Sequence, residues 1–394
     1  MKILSVNAGS SSLKFTGFEM PEEKVLISGV FERIGLNNSF YTIKLNGEKI
    51  KKEVDLPNHT VAFELLMKEL IDNNIVESLD EIKGVGHRVV QGGTYFDKTV
   101  VVNDDVIAKI DELASLAPLH NPPAIVGIKA AMEVMPNAVQ TAVFDTAFHT
   151  TMAPTEYMYA VPYSWFTEYG IRKYGAHGTS HKYVSLRMNE ILGRTDTKLI
   201  TCHIGNGASI SAVRDGKCVD TSMGLTPNAG LIMGSRCGDI DATIVTYAME
   251  KTGMSYKEMD TVLNKQSGLL AISGVSSDSR DVEEGIKAGN ERCKLAQDMY
   301  VKRSVEYIAK YYVLLGGCDA IVFTAGVGEN SAMTREQILE KLAVLGIKVD
   351  KEANSVRGVE TKITADDSSI PAYIIPTNEE LMIAKDTYSL VLQG

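Results

Sequence analysis

The chain has 394 residues, 44% hydrophobic and 23% charged, with a formal net charge of −10. Its length predicts two or three domains of a soluble globular protein, and its acidic balance argues against a nucleic-acid partner, which wants a basic face. No apolar run approaches the ~20 residues that span a bilayer, no signal-peptide pattern follows Lys2, and the five cysteines show no C-x-x-C spacing; no membrane association, no disulfide framework and a cytoplasmic location are therefore expected.

Strand-like runs are expected at 2–7, 13–18, 25–30 and 40–44. The first two are joined by a Gly-and-hydroxyl turn in "KILSVNAGSSSLKF", residues 2–15. Apolar spacing predicts helices at 60–73 and 104–115, and "HNPPAIVGIKAAMEVMP" predicts another with Asn121 as cap and Pro122 in its first turn. "GVGHRVVQGG" (84–93) places His87 and Arg88 at the start of an apolar strand, and "QTAVFDTAFH" reads as a buried strand running into a loop at Asp145. The second half repeats the plan. "KLITCHIGNGASISAV" (198–213) is another strand–turn–strand, helices are expected near 181–192, 240–251 and 281–315, and the strand 320–326 enters a Gly-bearing turn, "TAGVGEN", before a helix near 331. The strand "AYIIPT" and a helix from about Asn378 follow. Two hairpin-first α/β units half a chain apart suggest an internal duplication, with the cleft between the halves as the expected ligand site.

The opening hairpin is not a Walker loop, because G-x-x-x-x-G-K-[ST] is absent. Its glycine, Ser10, Ser12 and Lys14 nonetheless suit an anion, although solvated serines on a β-turn would look the same. A lone G-x-G is weak evidence, but three Gly turns at strand ends fit a nucleotide held by several loops. Arg236, between glycines in "MGSRCGDID", suits bidentate recognition of carboxylate or phosphate; the alternative is a surface arginine paired with Asp239 or Asp241. Six of the seven histidines lie in motif-like settings: His87, His120, His149, His177, His181 and His203. His177 and His181 have a zinc-like spacing, but Gly178 lies between them and the H-E-x-x-H glutamate is missing. A helix start capped by Thr179 or Ser180, with His177 just outside it, is the better reading.

Together "SVNAGSSSLK", "GHRVVQGG", "PLHNPP", "FDTAFH", "YGAHGTSH", "HIGNGASI", "GSRCGDID", "GVGEN" and "TNEE" resemble the acetokinase family, within the sugar-kinase/actin/heat-shock ATPase superfamily. They run in family order from residue 5 to 380. The resemblance implies an α/β fold of two domains with a duplicated ribonuclease H-like (actin-like ATPase) core and mixed sheets flanked by helices. The first domain would take 1–148 plus 376–394 and the second 149–375, with the active-site cleft between them. It further implies a homodimer and reversible Mg²⁺-dependent phosphoryl transfer from ATP to acetate, giving acetyl phosphate and ADP, with Mn²⁺ as a substitute cation. Arg88 and Arg236 would grip acetate and the phosphoryl group, His177 would stabilise the transition state, and Asp145 would be the active-site acid. Asn7 and Glu379 would serve the metal. Nucleotide contacts would come from Ser10, Ser12, Lys14, His203, Ile204, Gly205, Asn206, Gly207, Asp278, Ser279, Arg280, Gly326, Val327, Gly328, Glu329 and Asn330. Val90, Leu119, Ala176 and Pro227 would line the methyl pocket.

A carboxylic acid with a pKa of roughly 4–5 is already ionised at neutral pH, so it needs no general base to attack. It needs relief from repulsion by the γ-phosphate and in-line positioning. Asp145 is therefore expected to orient an arginine or a metal-bound water rather than to accept a proton. Ala176 stands where the family usually has a bulky aromatic, and Gln91 where it usually has histidine. An enlarged methyl pocket and better tolerance of propionate are expected. The rival readings are a propionate/butyrate-type carboxylate kinase and, from a different class, an ATP-gated binding module of the actin or chaperone kind.

Overall fold

The computed structural model describes residues 1–393. The backbone falls into two compact units, residues 1–150 with those from Asn378 onward, and Thr151–Thr377. Each is a mixed sheet flanked by helices, and the two sheets share a plan. In the first unit β1 (Lys2–Gly9), β2 (Ser12–Glu19), β3 (Lys24–Glu32), β4 (Phe40–Leu45) and β5 (Glu48–Glu53) form an antiparallel meander, and β1 also lies parallel to β6 (Ile82–Val89), itself parallel to β8 (Val139–Phe144). The short β7 (Val100–Val101) closes the far edge, giving the order β5-β4-β3-β2-β1-β6-β8-β7. In the second unit β9 (Lys198–Ile204), β10 (Ala208–Arg214) and β11 (Lys217–Thr221) are antiparallel neighbours. There β9 is parallel to β12 (Ala320–Thr324), and β12 to β14 (Ala372–Ile374), with β13 (Thr361–Lys362) at the edge. The duplication read from the sequence is thus present as topology: a meander, then two parallel additions on the side of its first strand.

Several local expectations are corrected. His87 and Arg88 stand at the end of β6, not at the start of a strand. The strand begins earlier, through Gly84 and Gly86, because the helix Glu379–Val391 lies directly on it. A Cβ at Gly84 would come within 2.8 Å of Thr387 and Val391, and one at Gly86 within 2.6 Å of the Ile383 side chain. Two strand residues rise about 6.6 Å and four helical residues about 6 Å. Stepping from Gly86 to Arg88 therefore steps from Ile383 to Glu379, which puts the arginine beside the first turn of that helix. Val85, on the opposite face of β6, packs into the core with Ala130 and Ala131 of the helix Asn121–Val134.

That helix is capped at His120, one residue earlier than expected. The amide of Asn121, fully buried, instead bridges the Gln91 backbone (3.1 and 3.0 Å) and the Ile110 carbonyl (3.2 Å). The helix expected over 281–315 is two, Ser279–Lys287 and Glu291–Leu315. They part at Gly289 (φ +82°), and Asn290 caps the second through the amides of Arg292 and Cys293. "AGVGEN" (325–330) is a short helix rather than a turn. The Glu329 carboxylate accepts the Ala325 amide at 2.8 Å, which closes the helix start on itself. β5 escaped the sequence reading because Lys49, Lys51 and Lys52 make it polar, as befits a strand at a sheet edge.

Candidate active site

In the first unit the site grows from the ends of β6 and β8. Arg88 donates from Nε (3.2 Å) and Nη2 (2.6 Å) to the two oxygens of Asp145, which follows β8 and is 2% exposed. The Asp145 amide bonds the Val89 carbonyl at 2.9 Å, extending the parallel ladder by one step and fixing the carboxylate opposite the guanidinium. Asp145, then Glu379 and Glu380 raise the Arg88 pKa against burial. Removal from water, together with Asp145 and Glu380, pushes the Glu379 carboxyl up to about 7, although Arg88 and Lys14 pull it down. Lys14, across the β1–β2 ladder from Asn7, is ion-paired with Glu380 and largely exposed. The hairpin tip is tied down by His59, the one histidine outside any motif, whose Nε2 lies 2.9 Å from the Gly9 carbonyl. Three carboxylates, Asp145, Glu379 and Glu380, thus accompany two cations, Arg88 and Lys14.

In the second unit His177 occupies the cap position of the helix Gly178–Leu192 in a left-handed conformation (φ +60°, ψ 23°) that a non-glycine residue adopts at a cost. Thr179 and Ser180, expected as caps, lie inside the first turn and are buried. His177 Nδ1 is 2.8 Å from Ser209 Oγ, and its ring stacks on His203 with centroids 4.0 Å apart. His203 Nδ1 in turn meets Ser180 Oγ at 2.8 Å. The β9–β10 hairpin pairs Thr201 with Ser211 and His203 with Ser209, so these four polar residues share one face while Cys202, Ile204 and Ile210 enter the core. This face was legible as a period-2 alternation, yet the sequence reading missed Ser209.

Arg236 and His177 converge on the turn of that hairpin. A Cβ placed on Gly207 would lie 3.5 Å from Arg236 Nη1 and 3.6 Å from His177 Nε2. Arg236 bonds the Pro227 carbonyl at 3.1 Å and approaches Met233 Sδ at 3.8 Å, with no carboxylate partner among the described residues. Burial lowers its pKa. The aspartates beside it in sequence serve elsewhere. Asp239 accepts the Gly230 amide (2.7 Å) and the Tyr307 hydroxyl (2.5 Å), and Asp241 accepts the Thr243 amide (2.9 Å). The loop that carries Arg236 is fastened to the hairpin turn, since Gly234 donates to the Asn206 carbonyl at 3.0 Å.

Beside this point opens a cavity of about 620 Å³, within the range of small-ligand sites. Of the expected nucleotide residues, Gly205, Asn206, Asp278, Ser279, Arg280, Gly326, Val327 and Asn330 line it. Ser10, Ser12 and Lys14 belong to the first unit, and His203, Ile204, Gly207, Gly328 and Glu329 are not among the lining residues. Gly234, Leu269, Ser277, Glu283, Tyr300, Ser331 and Arg357 also line it and were not foreseen. Arg280 is ion-paired with Asp278, whose carboxyl falls to about 2 through that bond and the Arg280 amide. Of the expected methyl-pocket residues, Leu119 is exposed in the first unit, Ala176 is buried in the core of the second, and Pro227 holds Arg236.

Residues 2–385 match the model of the Acetokinase family. The chain is 53% identical to an acetate kinase of Bacillus cytotoxicus over 391 residues, covering 99% of this chain and 98% of that one. Among solved structures it resembles an acetate kinase of Porphyromonas gingivalis (TM-score 0.95, 45% identity, 99% of each chain). It also resembles a propionate kinase of Francisella tularensis (TM-score 0.93, 44% identity, 98% of this chain and 99% of that one).

Proposed function

The chain belongs to the acetokinase family, and from that premise we propose that it transfers a phosphoryl group reversibly between ATP and acetate, with the acetate carboxylate as nucleophile. The observation that carries this reading is Arg236: a half-buried guanidinium with no acid partner among the described residues, converging with the His177 imidazole beside a nucleotide-sized cavity. A desolvated, uncompensated cation is stable only where an anion comes to it. A transferring phosphoryl group brings such charge, and donors preorganised around it supply most of the catalysis. The cavity would hold the nucleoside, with its phosphates reaching the Gly205–Gly207 turn.

Arg88 has the complementary task. Its fork is already committed to Asp145 on one edge, so it is held rigid and presents its remaining donors in a fixed direction. Asp145 is thereby an orienting group. Its carboxylate is occupied by Arg88, and acetate brings no proton to be taken. Asn7 and Glu379 offer oxygen donors of the kind that suit Mg²⁺ or Mn²⁺, and the excess of acidic groups around Arg88 would be balanced by a cation. Such a cation, when bound, would neutralise phosphate charge.

Helix Thr243–Thr252, which has no buried residue, and the exposed Tyr163, Trp165, Tyr169 and Tyr247 support a homodimer through the second unit. No helix among the described residues is long and apolar enough to cross a membrane. The five cysteines are thiols rather than disulfides, as in a cytoplasmic enzyme.

Formation of acyl hydroxamate from ATP, hydroxylamine and each of acetate, propionate and butyrate tests the assignment. Acetate is expected to give the highest kcat/KM, with propionate within about 10–200-fold, the worth of one methylene. No hydroxamate with any of the three would reject a carboxylate kinase in favour of a binding module. A propionate preference would move the assignment to the neighbouring activity.

A further inference from the structure

Behind His177 lies a line of polar side chains that touches neither the cavity nor Arg236. Ser209 Oγ stands 2.8 Å from His177 Nδ1 and 2.8 Å from His181 Nε2. His181 Nδ1 lies 2.7 Å from Thr201 Oγ1. Thr201, His181 and Ser209 are all fully buried. We propose that Thr201, His181 and Ser209 form a directional hydrogen-bond relay that holds His177 as the neutral tautomer with its proton on Nε2.

A serine hydroxyl has one proton, and a neutral imidazole has one N–H and one lone pair. With both histidines neutral and the Ser209 proton given to one of them, the relay can run in only two directions; a Ser209 that accepted from both rings would leave its own buried proton without an acceptor among the described residues. In one, Thr201 O–H donates to His181 Nδ1, His181 Nε2–H donates to Ser209, and Ser209 O–H donates to His177 Nδ1. Every bond is then 2.7–2.8 Å, and the proton of His177 sits on Nε2. In the reverse direction the Thr201 proton must go to the Ser211 carbonyl at 3.5 Å, at the edge of bonding distance, and the His177 proton sits on Nδ1. The first direction gives every buried proton of the relay an acceptor within 2.8 Å, whereas the reverse leaves the Thr201 proton on the 3.5 Å contact. A doubly protonated His177 is opposed by Arg236, since both side chains reach within about 3.6 Å of the same point over Gly207.

The consequence is chemical. His177 Nε2 faces the hairpin turn as a donor without having to acquire a proton from solvent, so it can bond a phosphoryl oxygen as charge builds there. The other nitrogen of a histidine sets which tautomer is present, and here that setting is made through two further side chains. Ser209, His181 and Thr201 are positioning residues.

The inference rests on the reading of His177 as a donor to the phosphoryl group, but its primary test is independent of activity. The whole enzyme, labelled with ¹⁵N-histidine and assigned with His177→Gln, is examined by long-range ¹H–¹⁵N correlation near pH 7. A pyridine-like Nδ1 and a pyrrole-like Nε2 on His177 are expected. A proton on Nδ1, in either the neutral or the cationic ring, would overturn the relay. Loss of activity in His177→Gln reports separately on the role of His177 itself. As a second readout, Ser209→Ala is expected to lower kcat roughly 10–100-fold with both KM values within about twofold, and Ser209→Thr, which keeps the hydroxyl, to restore most of it. An unchanged kcat in Ser209→Ala would also overturn the relay. If the serine variants fail to fold, the spectrum of the unaltered enzyme decides alone.

Discussion

The two candidate arginines look alike in sequence, each beside a glycine-bearing segment, yet the fold treats them oppositely. Arg88 ends a central strand and is locked by two bonds to a buried aspartate, with Glu379 and Glu380 adding negative charge around it. Arg236 sits in a loop, its guanidinium hydrogen-bonds a carbonyl and a thioether with no carboxylate partner among the described residues, and burial lowers its pKa. One is a compensated cation whose direction is fixed; the other is an uncompensated cation whose charge is available. In the proposed phosphoryl transfer the two kinds would have different tasks. Aligned donors give geometry, and unspent charge gives attraction.

Removing the uncompensated charge should have the largest effect. Arg236→Ala is expected to lower kcat by about 10³-fold, on the order of 4 kcal/mol, and Arg236→Lys to recover only part of it. Steady-state rates within tenfold of the unaltered enzyme would mean that the two arginines are not divided in this way. Breaking the compensation at the other arginine should cost less. Asp145→Asn leaves Arg88 charged but no longer gripped by two full ionic bonds, and a drop of about 10²-fold in kcat/KM for acetate is expected. A near-normal value would show that Arg88 needs no orienting charge.

Stability sharpens the contrast further. His87, buried beside Gln140 at 2.8 Å, has its pKa lowered from 6.5 to about 4 by loss of solvent. Between those values the unfolded chain binds the proton and the folded first unit does not. Its contribution is therefore fully present above pH 6.5 and is lost as pH falls towards 4, to a limit of about 3 kcal/mol. Denaturation midpoints measured across that window should fall steeply, and less so in His87→Asn. The smallest expected effect concerns the second unit. The Tyr300 hydroxyl is buried with no partner among the described residues, although its ring lines the cavity. Tyr300→Phe should raise stability by about 1 kcal/mol while leaving the KM for ATP within twofold. A loss of stability would show that the hydroxyl is satisfied in solution.

Much of the fold was legible because its signals are local. Apolar alternation, glycine turns and helix caps located the two hairpins, the strands that extend them and the helix after Asn378. The failures are equally physical. The strand was expected to start at His87 and Arg88, whereas Gly84 and Gly86 before them are strand residues kept small by Thr387, Val391 and Ile383, some three hundred residues away. Asn121 reads as a cap because its type and position allow it, yet a buried backbone at Gln91 claims its amide. Thr179 and Ser180 lost the cap position to His177, whose left-handed backbone no propensity would predict. Ser209 carried a signal, the alternation of Thr201 and His203 with Ser209 and Ser211, but its meaning appears only when two histidines from a helix meet that face.

The sequence by itself determined the class of fold, its duplication, and which residue types gather at strand ends, because periodicity and turn chemistry act over a few residues. It also supplied both arginines and His177. Only the tertiary structure decided which arginine has a partner, which neighbours leave Arg236 unpaired, and which nitrogen of His177 is backed by a hydroxyl. Those outcomes depend on distances between residues far apart in the chain, and on how much water is left between them.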